Sequence, residues 1–166
     1  MGASAQILRP HKTTMTLEER VEEFLEIVRP LGFHTGVKEN DMQIYMQPEI
    51  NSSKTVRVWV NQEDYPIFTI NGVGYYCEVF YDYIWDDDVP DSMNSDMILA
   101  ITAEYMKKYP DALFQFEWAD DDNKFLDKSD IDNIISQPFV PDWFVDTKSH
   151  LHSAEVNRKD DSWTLS

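Results

Sequence analysis

The sequence predicts an α+β fold: a single domain with a mostly antiparallel, twisted sheet of about five or six strands, on which an N-terminal helix, a second long helix and a short C-terminal helix pack. Three observations lead there. Apolar residues recur at helical spacing from residue 17 and again from residue 97. Between these stretches the apolar period falls to two. Asn71-Gly72, set between apolar runs, is the strongest short hairpin signal in the chain. The 166 residues suffice for one core, because a fold of roughly 150 residues buries about 68–70% of its unfolded surface.

The first helix spans about Leu17 to Leu31. Thr16 followed by Glu19 is a capping-box pattern, in which hydroxyl and carboxylate satisfy amides that have no partner at a helix start. Leu17, Val21, Phe24, Leu25 and Val28 form one face, Glu18, Glu22, Glu23 and Glu26 the other, and Gly32 stands where the helix should end. Strands follow. Met42, Ile44 and Met46 alternate with Gln43, Tyr45 and Gln47, and Val56, Val58 and Val60 with Arg57, Trp59 and Asn61. Glu39-Asn40-Asp41 and Glu63-Asp64 are polar turns between them. A strand from about Val73 to Trp85 is apolar or aromatic on both sides, which suggests a central position, with Gly74 as a bulge site.

A second helix, capped by Ser92 or Ser95, runs to about Tyr109. Met97, Ile98, Ile101 and Tyr105 form its apolar stripe, Lys107 and Lys108 lie at its C-terminal end, and Pro110 stops it. Leu113 to Trp118 is a further strand, Asp120 to Lys124 a turn, and Ser129 opens a short helix to about Gln137. Phe139, Val140, Trp143 and Phe144, among Pro138 and Pro141, should cross the core as irregular chain.

Charge divides the chain. It holds 14 Lys+Arg against 31 Asp+Glu, a formal net charge of −17. Residues 16–147 hold 9 basic and 28 acidic residues and form the acidic α+β domain. Residues 1–15 and 148–166 show no sustained apolar period and are expected to be a flexible N-terminal segment and a flexible C-terminal tail. The charge disfavours nucleic acid or an anionic membrane as partner, since both need clustered cations. No apolar run approaches the roughly 20 residues of a membrane span, residues 1–15 lack a secretory apolar segment, and a lone Cys77 reads as a buried reduced thiol, so the cytoplasm is expected.

Signatures of catalysis are sparse. His11, His150 and His152 lie in the expected mobile ends, which leaves His34 beside the core, and a Cys77–His34 pair has no visible cation or helix start to activate the thiol. Gly72-Val73-Gly74 lacks the third glycine and following helix of a dinucleotide fingerprint, and neither a P-loop nor a Gly-x-Ser-x-Gly elbow occurs. The sequence implies no cofactor. Aspartates cluster at Asp86-Asp87-Asp88, near Asp82 and Asp91, and at Asp120-Asp121-Asp122. Counted as a calcium loop from Asp120, the fifth and sixth positions are Lys124 and Phe125, where an oxygen ligand and glycine are required, so these runs read as solvated turns.

Acidity joined to aromatic residues is what stands out. Trp59, Tyr75, Tyr76, Tyr81, Tyr83, Trp85, Trp118 and Trp143 exceed what a core of this size must contain, and several lie close to aspartate. Acids around exposed rings suit a basic protein partner, with Asp82, Tyr83, Trp85, Asp86, Asp87, Asp88, Trp118, Asp120, Asp121 and Asp122 as the expected contact residues. Size, acidity and fold class resemble those of bacterial immunity or inhibitor proteins, which neutralise a basic toxin or effector domain. This is a likeness of class carried by no motif. Two alternatives accompany it: a secretion-chaperone-like homodimer in place of a monomer, and a carboxylate-based or metal-dependent enzyme using Asp82, Asp86, Glu78 or Glu117.

Overall fold

The computed structural model describes residues 4–50, 52, 54–60, 65–82, 95–117, 123–140, 143 and 156–158. It has the expected α+β architecture, with three helices on an antiparallel sheet. The strands are β1 (Ser4–Arg9), β2 (His34–Val37), β3 (Ile44–Gln47), β4 (Val56–Trp59), β5 (Phe68–Ile70), β6 (Val73–Asp82), β7 (Leu113–Glu117), β8 (Asn123–Leu126) and β9 (Val156–Arg158). The helices are α1 (Leu17–Val28), α2 (Ser95–Lys108) and α3 (Lys128–Ile135). The main sheet runs β2-β3-β4-β6-β1-β7-β8, and β5 joins the start of β6 and carries β9 on its other side. The strands therefore outnumber the five or six expected.

Strand β1 corrects the expectation of a mobile N-terminal segment. It lies between β6 and β7, and Ala5, Ile7 and Leu8 are fully buried. Because both its faces are covered, apolar residues need not alternate, and a six-residue strand without a period leaves little trace in sequence. In the expected C-terminal tail, Val156–Arg158 pairs with Phe68–Ile70. The remainder of 148–166 lies outside the described residues, as does the Glu63-Asp64 turn.

Local signals act as read for α1. Thr16 N–H donates to Glu19 Oε1 at 3.0 Å and Glu19 N–H to Thr16 Oγ1 at 3.2 Å, so the capping box is closed in both directions. Helix α3 is capped by Asp127, not Ser129, because Asp127 and Asp130 close an equivalent box that starts two residues earlier. The β5–β6 hairpin turns at Asn71 and Gly72, with φ of 51° and 83°, the positive values that these two residue types tolerate.

The main core lies between the helices and one sheet face. Val21, Phe24, Ile27 and Val28 of α1 and Met97, Ile98, Ile101, Tyr105 and Met106 of α2 meet Ala5, Ile7, Ile44, Met46, Val56, Val58, Val79, Tyr81, Phe114 and Phe116. Trp143 belongs to this core, its Nε1–H donating to Ser95 O at 3.0 Å and its ring 5.2 Å from Phe114. Phe139 and Val140, expected in the core beside it, are exposed instead, and Phe144 lies outside the described residues. A smaller cluster of Leu8, Phe68, Ile70, Cys77, Leu113 and Phe125 forms on the other face, where the β5 hairpin folds over the sheet.

Strand β6 serves both cores through a bulge. Ile7 pairs with Val79 and Leu8 with Cys77, which leaves Glu78 as an extra residue. The bulge therefore falls at Glu78. Gly74 stays in register with Thr69, its missing side chain making room for Pro66. Without the bulge, Tyr75, Cys77, Val79 and Tyr81 would share one face. With it, Val79 and Tyr81 face the helices while Cys77 and Tyr75 join the second cluster.

Because β1 closes the middle of the sheet, removal of residues 1–9 is expected to abolish cooperative thermal unfolding monitored by circular dichroism. Ile7→Ala is expected to cost about 2–5 kcal/mol in urea denaturation, the usual range for a fully buried aliphatic side chain.

Candidate functional site

Two polar features emerge from this frame, one enclosed and one open. The enclosed feature is an ion pair. Arg20, on the sheet-facing side of α1, donates from Nη2 to the Glu78 carboxylate at 2.6 Å and to the Glu78 carbonyl at 2.8 Å. Both side chains are buried, at 6% and 4% exposure. The bulge is the local cause: it turns the Glu78 side chain and carbonyl toward the helices, and the single Nη2 group of Arg20 donates to both. Burial pushes the Glu78 carboxyl above the usual glutamate range, outweighing the opposite pull of Arg20 and Arg9.

Around the pair, polar groups lead outward. Tyr105, raised by burial and then by Glu78, lines the same space as Glu23, Phe24 and Val60, and the gap left among them is about 10 Å³, room for about one water. Tyr109 donates its hydroxyl to Glu23, which Lys108 also approaches at 3.1 Å. Burial first, then that bond to Glu23, pushes the Tyr109 hydroxyl up to about 12. Arg9 stacks 3.7 Å above the Tyr109 ring and lies 3.8 Å from Asp111. The network ties α1, α2 and β1 to the bulge.

The open feature is the sheet face away from the helices, where β2, β3, β4 and the end of β6 lie beyond the β5 hairpin. Register places Trp59 beside Phe80 and Arg57 beside Asp82, with Arg57 also opposite Tyr45. Phe80 is 38% exposed, Arg57 is exposed, and Tyr45, Trp59 and Asp82 are half-buried. The Tyr45 ring lies directly over Gly36, occupying the position a Cβ would take. Asp82 Oδ2 accepts from Gln43 Nε2 at 3.0 Å, a bond that reaches across β4 from a buried amide.

Of the expected contact residues, Asp82 is the one the structure describes. Tyr83, Trp85, Asp86, Asp87, Asp88, Trp118, Asp120, Asp121 and Asp122 lie outside the described residues. The expected excess of surface aromatics is corrected in two places, since Tyr81 and Trp143 are core residues, at 1% exposure each. Phe80, Arg57 and Tyr45 are not among the expected contact residues, and the bulge at Glu78 masks the outward side of β6 in the sequence. Glu78 and Asp82 point to opposite faces, so these two carboxylates do not converge. His34, exposed on β2, and Cys77, buried on β6, lie on strands separated by β3 and β4 and far apart in register, so they form no pair with each other. Among the described residues no three His, Cys, Asp or Glu side chains are placed to hold a metal ion.

Compared with protein-family models, curated proteins and solved structures, the chain has no significant match. Its function is therefore argued from its own residues.

A glutamate whose pKa is higher folded than unfolded holds its proton longer in the fold. Its contribution to stability is thus present below its ordinary value of 4.5 and is lost as pH rises through the folded value. Urea midpoints of the wild type and Glu78→Gln, compared from about pH 4 to about pH 7, are expected to shift against the wild type as pH rises. A gap moving the other way would show that Arg20, not burial, dominates the Glu78 carboxyl. Arg20→Ala, which strands the carboxylate, is expected to cost about 3–5 kcal/mol at neutral pH.

Proposed function

We propose that the chain is a non-enzymatic binding protein that neutralises a basic partner protein by contact, in the manner of bacterial immunity or inhibitor proteins. One observation carries this reading. Among the described residues, seven of the cations are already spent on internal or local carboxylates: Arg9 on Asp111, Arg20 on Glu78, Arg29 on Glu26, Lys54 on Asp96, Lys107 on Glu104, Lys108 on Glu23 and Lys128 on Asp132. Even if all 14 basic residues were paired, the net charge of −17 would remain in unmatched carboxylates. Glu18 and Glu22, exposed along the outer face of α1, make no ion pair among the described residues.

Such an excess repels its own copies and other acidic surfaces while it speeds encounter with a cationic one. The role suits the cytoplasm, where a buried thiol outside any disulfide, such as Cys77, stays reduced. No helix among the described residues is long and apolar enough to cross a membrane.

The products of the reading frames flanking that of this chain are the natural first partners to try. Calorimetry is expected to find a basic one that binds one to one, with affinity falling about tenfold or more as salt rises from about 0.05 M to about 0.5 M. A complex whose affinity is indifferent to salt, or no complex with any of them at low salt, would overturn the reading.

A further inference from the structure

We propose that the open sheet face at Trp59, Phe80 and Asp82 is the docking surface for that partner and that it receives an arginine side chain. The inference rests on the reading of the chain as a binder of a basic protein and assigns the place and the chemistry of contact.

Net charge alone does not select a surface, because carboxylates are spread over the chain. Aromatic anchors do, since they supply most of the binding energy in protein interfaces while surrounding charges set orientation. The acidic face of α1 presents Glu18, Glu22 and Glu26, and its aromatic residue, Phe24, is buried beneath it at 2% exposure. The open face combines both needs. Phe80 and Trp59 are register partners on adjacent strands, and Asp82 follows Phe80 on the same side of β6. A flat cation seated on these rings would place its charge beside the carboxylate.

Asp82 is prepared for this. Its Oδ2 is held by the buried Gln43 amide, and among the described residues it makes no salt bridge, although Arg57 stands opposite it in register. A planar guanidinium suits such a site better than an ammonium, because it can stack on a ring and hydrogen-bond a carboxylate at once. Arg57 is the resident competitor: exposed, of like charge to the incoming residue, and facing Tyr45 and Asp82. Its removal should strengthen binding, an outcome that nonspecific attraction to a negative protein would not single out from removal of any other cation.

The test is a nuclear magnetic resonance titration of the full-length chain with the peptide acetyl-(Gly-Arg)4-amide and its lysine counterpart. Amide shifts are expected at Arg57–Trp59 and Phe80–Asp82. Phe80→Ala and Asp82→Asn should each weaken the arginine peptide about two- to fivefold, Arg57→Ala should tighten it about two- to threefold, and Lys38→Ala should leave it within that of the wild type. The lysine peptide should bind about two- to threefold more weakly. Shifts confined to Glu18–Glu26, with Phe80→Ala unchanged, would overturn this surface and leave the basic-partner reading standing. Equal affinity for the two peptides would overturn the arginine assignment, and no shifts at millimolar peptide would overturn the proposal. The calorimetry with natural partners decides the underlying function separately.

Discussion

The Glu78 bulge, held by Arg20, is the constraint on which the rest of the arrangement depends. A strand of regular alternation would send every even residue of β6 to one side and every odd residue to the other. One extra residue between Cys77 and Val79 breaks that rule, and the strand can contribute Val79 and Tyr81 to the main core and Cys77 to the second. The cost is a carbonyl turned out of the ladder and a carboxylate turned inward. Neither would be tolerated unpaired, since a buried charge left without a partner is strongly destabilising. Arg20 answers both with one guanidinium, which also fixes where α1 crosses the sheet.

How much of this was legible in the sequence follows from where each signal resides. The α1 capping box and the Asn71-Gly72 turn are decided by neighbours in sequence, and both form as read. Strand β1 is decided by neighbours far away: Ile7 and Leu8 are both apolar because different layers cover them, so the strand has no period to detect. Strand β8 has four residues and falls where a run of aspartates reads as a turn. The choice of Asp127 over Ser129 as the α3 cap turned on Asp130, whose side chain completes the box at the right offset.

For the open face, the legible part was Asp82, flagged by acidity. Trp59 stands among the aromatics the sequence singles out, whereas Phe80 is hidden by the bulge. Read with one unbroken period, Tyr76, Glu78, Phe80 and Asp82 share a side, and the segment looks like a two-sided core strand. The bulge removes Glu78 from that side and leaves Phe80 and Asp82 outward, beside Trp59 and Arg57. No spacing rule reveals this, because the bulge is set by the long-range register of β6 on β1 and held by the contact of Glu78 with Arg20, 58 residues away.

The two polar features are thus linked by geometry. Glu78 and Asp82 begin in the same sequence register, and the extra residue assigns them opposite fates: one carboxylate is neutralised inside by a dedicated arginine, the other is left half-exposed with its own arginine opposite but not bridged. A fold short of cations cannot pair every acid, so where it commits them carries information. Arg20 is committed where an unpaired carboxylate would be most costly. Asp82 costs little in water and stays open, its orientation fixed by Gln43, which supplies hydrogen bonding without charge. A neutral amide that orients a carboxylate and leaves its charge uncancelled preserves the attraction for a cation arriving from outside.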